Sequence, residues 1–262
     1  MLELYHYGLS VCAHKVRFAL AEKDLVWTSR IVDLHKGEQF DPAYLRLNPS
    51  GVVPTLVHDG QPVIESTLIN EYIDDAYPDR PLRPSAALAR MHMRLWSKRI
   101  DDTIHAACGT LTIAAASRVR VAKIHAQGQT VDEYVAQIPD AKRRARQREV
   151  LTHGMRAEGV LPAFQSYAAF LSDMETALGL SRYLAGEEVS LADINLLPYV
   201  LRLDMLGMQA AFADKPALLR WYDGLRSRLT CQAITDYIRP DETAAMLDYG
   251  RQAWSELRGL LN

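Results

Sequence analysis

Four short stretches near the start of the chain carry residue types able to do chemistry. Tyr7-Gly8-Leu9-Ser10-Val11-Cys12 sets a phenol, a hydroxyl and a thiol just ahead of a helical pattern. A hydroxyl and backbone amides at a helix start can stabilise an anion at the positive end of the helix dipole. The plainer role of Ser10 is a helix cap. Val53-Pro54 opens a strand after a turn. A cis bond there leaves the Val53 amide and carbonyl available to hold an extended peptide, whereas a trans bond makes an ordinary strand start. Glu65-Ser66 ends a strand and begins a helix, a place that suits a bound carboxylate or a simple N-cap. Lys36 and Gln39 lie in an irregular connection, where a cation and an amide either meet a second carboxylate or face only water.

These stretches need a scaffold, and the hydrophobic pattern supplies one. Leu2 to Tyr7 reads as a first strand. Cys12, Val16, Ala19 and Leu20 then fall on one helical face. Val26 to Leu34 reads as a second strand, and Gly37 to Asn48 as an irregular connection with room for one short helix. Pro54–His58 and Gln61–Glu65 flank Asp59-Gly60, a strong hairpin turn. Leu68, Ile69, Tyr72, Ile73 and Ala76 form another helical stripe. The order is βαβ, a connection, then ββα. Pro78, Pro81 and Pro84 mark a stiff linker. Beyond it only helical patterns follow, among them Leu161, Phe164, Ala168, Leu171 and Leu178, and a helix from about Pro216 to Leu229. Ser190-Leu191-Ala192-Asp193 is a capping-box variant with Asp at its fourth place, and Val189 and Ile194 complete a hydrophobic staple. The fold expected is a small α/β domain joined to an all-helical domain.

Composition narrows the function classes. The 262 residues are 48% hydrophobic and 24% charged, which excludes a disordered or fibrous chain. Thirty basic against 32 acidic residues give a net charge of −2, so nothing draws the chain to nucleic acid. Three scattered cysteines, Cys12, Cys108 and Cys231, fit a reducing compartment and no disulfide framework. No apolar run approaches the roughly 20 residues of a membrane span, and the N-terminus lacks a signal-peptide pattern. A cytoplasmic protein without membrane or nucleic-acid partners is expected.

Asn48-Pro49-Ser50-Gly51-Val52-Val53-Pro54, the Asp59-Gly60 turn and Glu65-Ser66 together resemble the cytosolic glutathione transferases, and the resemblance extends over the whole chain. It implies a thioredoxin-like, glutathione-binding domain over residues 1–80 and an all-helical domain over 85–262 that contributes the electrophile site. Ser10-Val11-Cys12 ahead of Val16-Arg17-Phe18-Ala19-Leu20 is similar to the serine-type loop of the zeta and tau classes. Ser10 falls at their catalytic serine, Val53 and Pro54 at the cis-proline loop, and Glu65 and Ser66 at the γ-glutamyl site. Lys36 and Gln39 are expected to assist in holding glutathione. The resemblance implies a homodimer, glutathione as cosubstrate, and no metal. The chemistry is thiol activation: a free thiol of pKa about 8.5 is only a few per cent thiolate at pH 7. A hydroxyl donor and a helix N-terminus can shift that balance without a general base. Cys12 either packs on the inner helix face or assists Ser10. A dithiol role is disfavoured because Cys12-Ala13-His14-Lys15 is not C-x-x-C.

For the electrophile, the resemblance points to the Tyr7-Gly8-Leu9 loop and the first long helix of the helical domain. Tyr7, Leu9, Trp96, Ile100 and Ile104 are the expected lining, suited to a flat aromatic molecule. The region from about Ala116 to Arg156 exceeds what a compact family member requires. It holds Lys142, Arg143, Arg144, Arg146 and Arg148, expected to form a solvated helical face. Arg94-Leu95-Trp96-Ser97-Lys98, Ile138-Pro139 and this basic run resemble bacterial glutathione-dependent β-etherases, which makes aryl ether cleavage a second reading. A maleylacetoacetate-type isomerase is a third, and a non-catalytic glutathione-binding module is the reading outside enzyme chemistry.

Overall fold

The structure, a computed structural model, describes residues 1–261. Its first part holds β1 (Leu2–His6), α1 (Val11–Glu22), β2 (Thr28–Ile31), a 3₁₀ turn at Glu38–Phe40, α2 (Pro42–Leu45), β3 (Thr55–His58), β4 (Gln61–Val63) and α3 (Ser66–Ala76). The four strands form one sheet in the order β2-β1-β3-β4. β1 runs parallel to β2 and antiparallel to β3, and the hairpin β3–β4 turns through Asp59 and Gly60, both at positive φ. That backbone suits an Asp-Gly pair and matches the twist of the flanking strands. β2 is shorter than the sequence predicts, because Val26 is 93% exposed and the strand pairs along one edge only.

The amphipathic reading of α1 holds for its inner face and misses the other side. Val16 and Leu20 pack with Leu2, Leu4, Leu56, Ile69 and Ile73 in a core against the sheet. The opposite side is buried as well, under helices of the second part, so that His14, Lys15 and Arg17 are all fully buried. Buried cations need partners. Arg17 finds them in the carbonyls of Tyr7 (3.3 Å), Gly8 (3.0 Å), Ala233 (2.9 Å) and Ile234 (2.5 Å). It therefore ties the loop after β1 to the far end of the chain.

The helical part comprises α4 (Ala87–Arg99), α5 (His105–Ala115), α6 (Ser117–Ala126), α7 (Val131–Ala136), α8 (Ala141–His153), α9 (Val160–Leu178), α10 (Leu191–Met205), α11 (Pro216–Arg226), α12 (Gln232–Thr235) and α13 (Pro240–Leu261). α4 runs into α5 through a π-helical turn at Ile100–Ile104. α10 is the central pillar, buried from Leu191 through Leu203. Its capping box forms as the sequence predicts: Asp193 accepts from the Ser190 amide (2.9 Å) and hydroxyl (3.0 Å). Asp193 also accepts from the Leu184 amide (3.0 Å) and the Trp221 indole (2.8 Å), so it anchors two neighbouring segments as well as the helix start. Between the two parts, the Asn70 amide donates to Asn195 at 2.7 Å, and Asn195 donates to Ser97 at 3.0 Å.

Candidate active site

The start of α1 is held from three sides. Ser10 is the N-cap, its hydroxyl oxygen accepting from the Ala13 amide at 3.2 Å. That contact uses one lone pair and leaves the hydroxyl proton available to donate, so capping and anion binding are compatible in one side chain. The loop before Ser10 is fixed by Arg17, by the His14 ring on the Gly8 carbonyl (2.7 Å), and by buried Arg202 of α10, which donates to the Leu9 carbonyl. Gly8 is required where it stands: a Cβ there would meet the Tyr237 carbonyl oxygen at 2.2 Å.

A cleft of about 400 Å³ opens in front of this helix start. Ser10, Cys12, Gln39, Val53, Glu65 and Ser66 line it from the first part, together with Tyr7, Leu9 and Pro54. The Val53–Pro54 bond is cis. Among the described residues no backbone group pairs with the Val53 amide or carbonyl. Gln39 is 5% exposed and its side-chain oxygen has no partner. A buried amide oxygen and an unpaired backbone segment ahead of β3 on one cleft suit a short peptide that brings its own hydrogen-bonding groups. Glutathione fits that description.

The sequence missed the group that organises the Glu65-Ser66 corner. Lys15, buried in α1, donates to the Ser66 hydroxyl at 3.0 Å and to Thr67 at 2.6 Å. Burial pushes its pKa down, while Cys12, Asp101 and Glu65 push it up. The Ser66 hydroxyl accepts from Lys15 and so directs its own proton elsewhere, toward the cleft. A lysine on an otherwise apolar helix side gives no periodic signal, which is why pattern reading passes over it.

Cys12 lies on the cleft and not in the sheet core. Its Sγ stands 3.5 Å from Nδ1 of His105, at the start of α5, and 4.0 Å from the Tyr199 hydroxyl. Burial raises the thiol pKa, but the charge and hydrogen bond of His105, and then the Lys15 charge, outweigh it and bring the value to about 6. The same pairing raises His105, with the Cys12 charge as the leading cause. Tyr7 is committed otherwise: its hydroxyl donates to Glu242 of α13 at 2.6 Å. Burial first, then that carboxylate, hold its phenol far above the usual range.

Three expected electrophile contacts lie elsewhere. Ile100 and Ile104 are 0% and 2% exposed in the helical core, and Trp96 packs against Phe170 and the Arg99 guanidinium. The stripe keeps its helical spacing but faces the core. Trp96, Ile100 and Ile104 pack in the helical cluster, and the neighbouring face, with Asp101, His105, Gly109 and Thr112, lines the cleft. Lys36 also stands off the cleft, 71% exposed and 3.8 Å from Asp33. The basic run departs from a solvated face: Arg143, Arg146 and Gln147 of α8 line the cleft. So does α13, through Glu242, Met246 and Tyr249, a contribution no sequence motif announced.

A four-stranded mixed sheet with a cis-proline loop, closed over one cleft by an all-helical half, is the architecture of a two-domain glutathione-dependent enzyme. Comparison with known proteins agrees. Residues 9–76 match the sequence model of the glutathione S-transferase N-terminal domain, and residues 130–224 that of the glutathione S-transferase C-terminal domain. Protein LigF of Sphingobium sp. is 30% identical over 241 residues, 87% of this chain and 90% of that protein. A zeta class glutathione S-transferase of Euphorbia esula is 29% identical over 93% of each chain. The crystal structure of the β-etherase LigF superposes with a TM-score of 0.79 at 27% identity, covering 89% of this chain and 98% of that one. The chain belongs to the glutathione S-transferase family.

Proposed function

We propose that this glutathione transferase activates glutathione through Ser10 and directs the thiolate onto an electrophile held against the helical domain. The observation that carries the reading is the shared cleft of Ser10, Val53, Glu65 and Ser66, with the Ser10 hydroxyl at the start of α1. The peptide backbone of glutathione pairs with Val53, its γ-glutamyl carboxylate takes the Ser66 hydroxyl above buried Lys15, and its sulfur lies against Ser10. The Ser10 proton and the helix dipole favour the thiolate. His105, whose pKa the Cys12 charge raises, stands on the other side against Cys12. The thiolate attacks carbon, a C–S bond forms, and the leaving group departs with the electron pair of the broken bond. Cys12 assists the site by holding the His105 ring beside it; the bond-forming sulfur is that of glutathione.

The enzyme acts as a cytoplasmic homodimer in this reading, and no metal takes part. Exposed Leu68 of α3 with Leu88, Met91 and Leu95 of α4 supply an apolar surface suited to a second copy. A second reaction subtype, glutathione-dependent cleavage of a β-aryl ether, is favoured by the likeness to LigF in sequence and structure. Glutathione-dependent release of the phenol from a β-aryl ether ketone tests it. Thermal-shift titration with glutathione tests the shared premise, since a ligand of the native state alone raises apparent stability. Conjugation of small aryl halides without phenol release rejects the etherase and leaves a general transferase.

A further inference from the structure

The basic residues of α6 and α8 separate by what they touch. Arg144 folds back onto the Ile138 and Pro139 carbonyls at 3.0 and 3.1 Å, and Arg148 pairs with Asp132 at 2.7 Å. Arg143 and Arg146, one turn apart on α8, face the cleft instead. Arg120 and Lys123 of α6 face it from the neighbouring helix. Among the described residues none of these four forms an ion pair within 4.0 Å. Burial draws the Arg143 and Arg146 guanidiniums below their ordinary pKa, and Arg146 also lowers Arg143.

The carboxylates on the cleft are engaged elsewhere. Glu242 accepts from Tyr7 and from Arg239 (3.2 Å), and Asp101 accepts from Thr67 at 3.0 Å. Glu65 and Asp101 act on Lys15, at the opposite end. Glu65 and Asp101 thus lie at the Ser66 end, Glu242 is taken up by Tyr7 and Arg239, and cations without an ion-pair partner among the described residues stand on the wall formed by α6 and α8. Asp140, the cap of α8, offsets part of the charge of Arg143 and Arg146, but none of the four cations has a paired carboxylate among the described residues. They repel one another, half-buried Arg120, Arg143 and Arg146 are costly to desolvate, and an anionic ligand relieves both. Arg143 donates to the Ser50 carbonyl at 3.0 Å, in the turn that leads to Val53, so it stands where the glycyl carboxylate of glutathione would end. Arg120, Lys123 and Arg146 remain, beside the apolar side chains of Ile113, Val119, Tyr134 and Met246.

We propose that the electrophile of this enzyme carries an anionic oxygen group, a carboxylate or phenolate on an aromatic body, bound by Arg120, Lys123 and Arg146. This rests on the transferase reading of the same cleft. The test compares 4-(bromomethyl)benzoate with its methyl ester. In both, the glutathione thiolate attacks the benzylic carbon, the C–S bond forms, and bromide leaves with the C–Br electron pair. Each kcat/KM is divided by the rate constant of the uncatalysed reaction with glutathione. The expected ratio favours the carboxylate by about tenfold or more at low salt. It falls as salt is added, and it collapses toward one in R146Q, K123Q and the R120Q/K123Q/R146Q variant. The salt series on the wild-type protein needs no variant to fold. A wild-type ratio near one with the ester turned over overturns the proposal and leaves the transferase reading standing. Loss of glutathione affinity by calorimetry, with both substrates slowed equally in the variants, assigns the cations to glutathione and also overturns it. Absence of both glutathione binding and turnover sinks the transferase reading itself, and this inference with it.

Discussion

Cys12 and His105 meet across the boundary between the two parts of the molecule, sulfur to Nδ1 at 3.5 Å, on the floor of the cleft. Cys12 belongs to the first turn of the sheet domain's first helix, and His105 opens the helix that follows the π turn. The pairing converts a half-buried cysteine, whose pKa desolvation alone would raise, into one titrating at about 6. Alkylation of Cys12 by iodoacetamide is expected to rise with a midpoint near that pH. His105→Gln removes the principal favourable charge and moves the midpoint up toward the ordinary thiol value of about 8.5. The folded-state pKa lies below the unfolded one, so the thiolate contributes stability that is fully present above about 8.5 and is lost as pH falls through about 6. Cys12→Ser removes that dependence. An unchanged alkylation profile in the His105 variant would show that the pair does not control the thiol.

The Ser66 corner makes a prediction about affinity. Ser66→Ala removes a hydroxyl that Lys15 supports from behind at 3.0 Å. A hydrogen bond to a charged group is worth about 1.5–3 kcal/mol, and glutathione should bind more weakly by that amount. Lys15→Met should weaken it too, through loss of the hydroxyl's orientation and of the nearby charge. Calorimetry showing normal affinity in Ser66→Ala would move the γ-glutamyl end elsewhere.

Tyr7 provides the counter-test to Ser10. Its hydroxyl is 2.6 Å from Glu242 and points its proton there, not at a bound sulfur. Tyr7→Phe should leave a working thiol-activating site and loosen α13, visible as faster hydrogen exchange around Glu242. A loss of turnover as large as that of Ser10→Ala would make Tyr7 the thiol donor.

Stability tests the two residues of the α10 cap. Ser190→Ala is expected to cost about 1 kcal/mol. Asp193→Ala should cost about 3 kcal/mol or more, since it strands the Trp221 indole and the Leu184 amide as well as the Ser190 amide. The double variant should lose less than the sum, because the two residues share two hydrogen bonds. Equal single losses in denaturant melts would show that Asp193 acts only as a cap.

The legible and illegible features divide along physical lines. Ser10, Val53 and Ser66 could be read because turns, prolines and helix starts leave local marks in sequence. The hairpin at Asp59-Gly60 and the cap at Ser190 were visible for the same reason. Trp96 and Ile104 lie off the cleft because periodicity shows which residues share a helix face and not whether that face meets the core or the cleft. Lys15, His105 and Arg202 act through partners 51 to 193 residues away, and such pairings arise only from packing. Arg143 and Arg146 were visible as charge but not as lining. Which helix face is solvated depends on where α8 docks.

The central claim is that Ser10 stabilises the thiolate of bound glutathione, and titration of that thiol by ultraviolet absorbance tests it most directly. The measurement is best made as the difference between bound and free protein in a Cys12→Ala background, which removes the protein's own thiolate. With Ser10 present, the bound thiol should titrate well below the free value of about 8.5. Ser10→Ala should return it toward that value and lower turnover by about 2–4 kcal/mol of transition-state stabilisation, with glutathione still bound. The same depressed thiol pKa with and without the Ser10 hydroxyl would contradict the account.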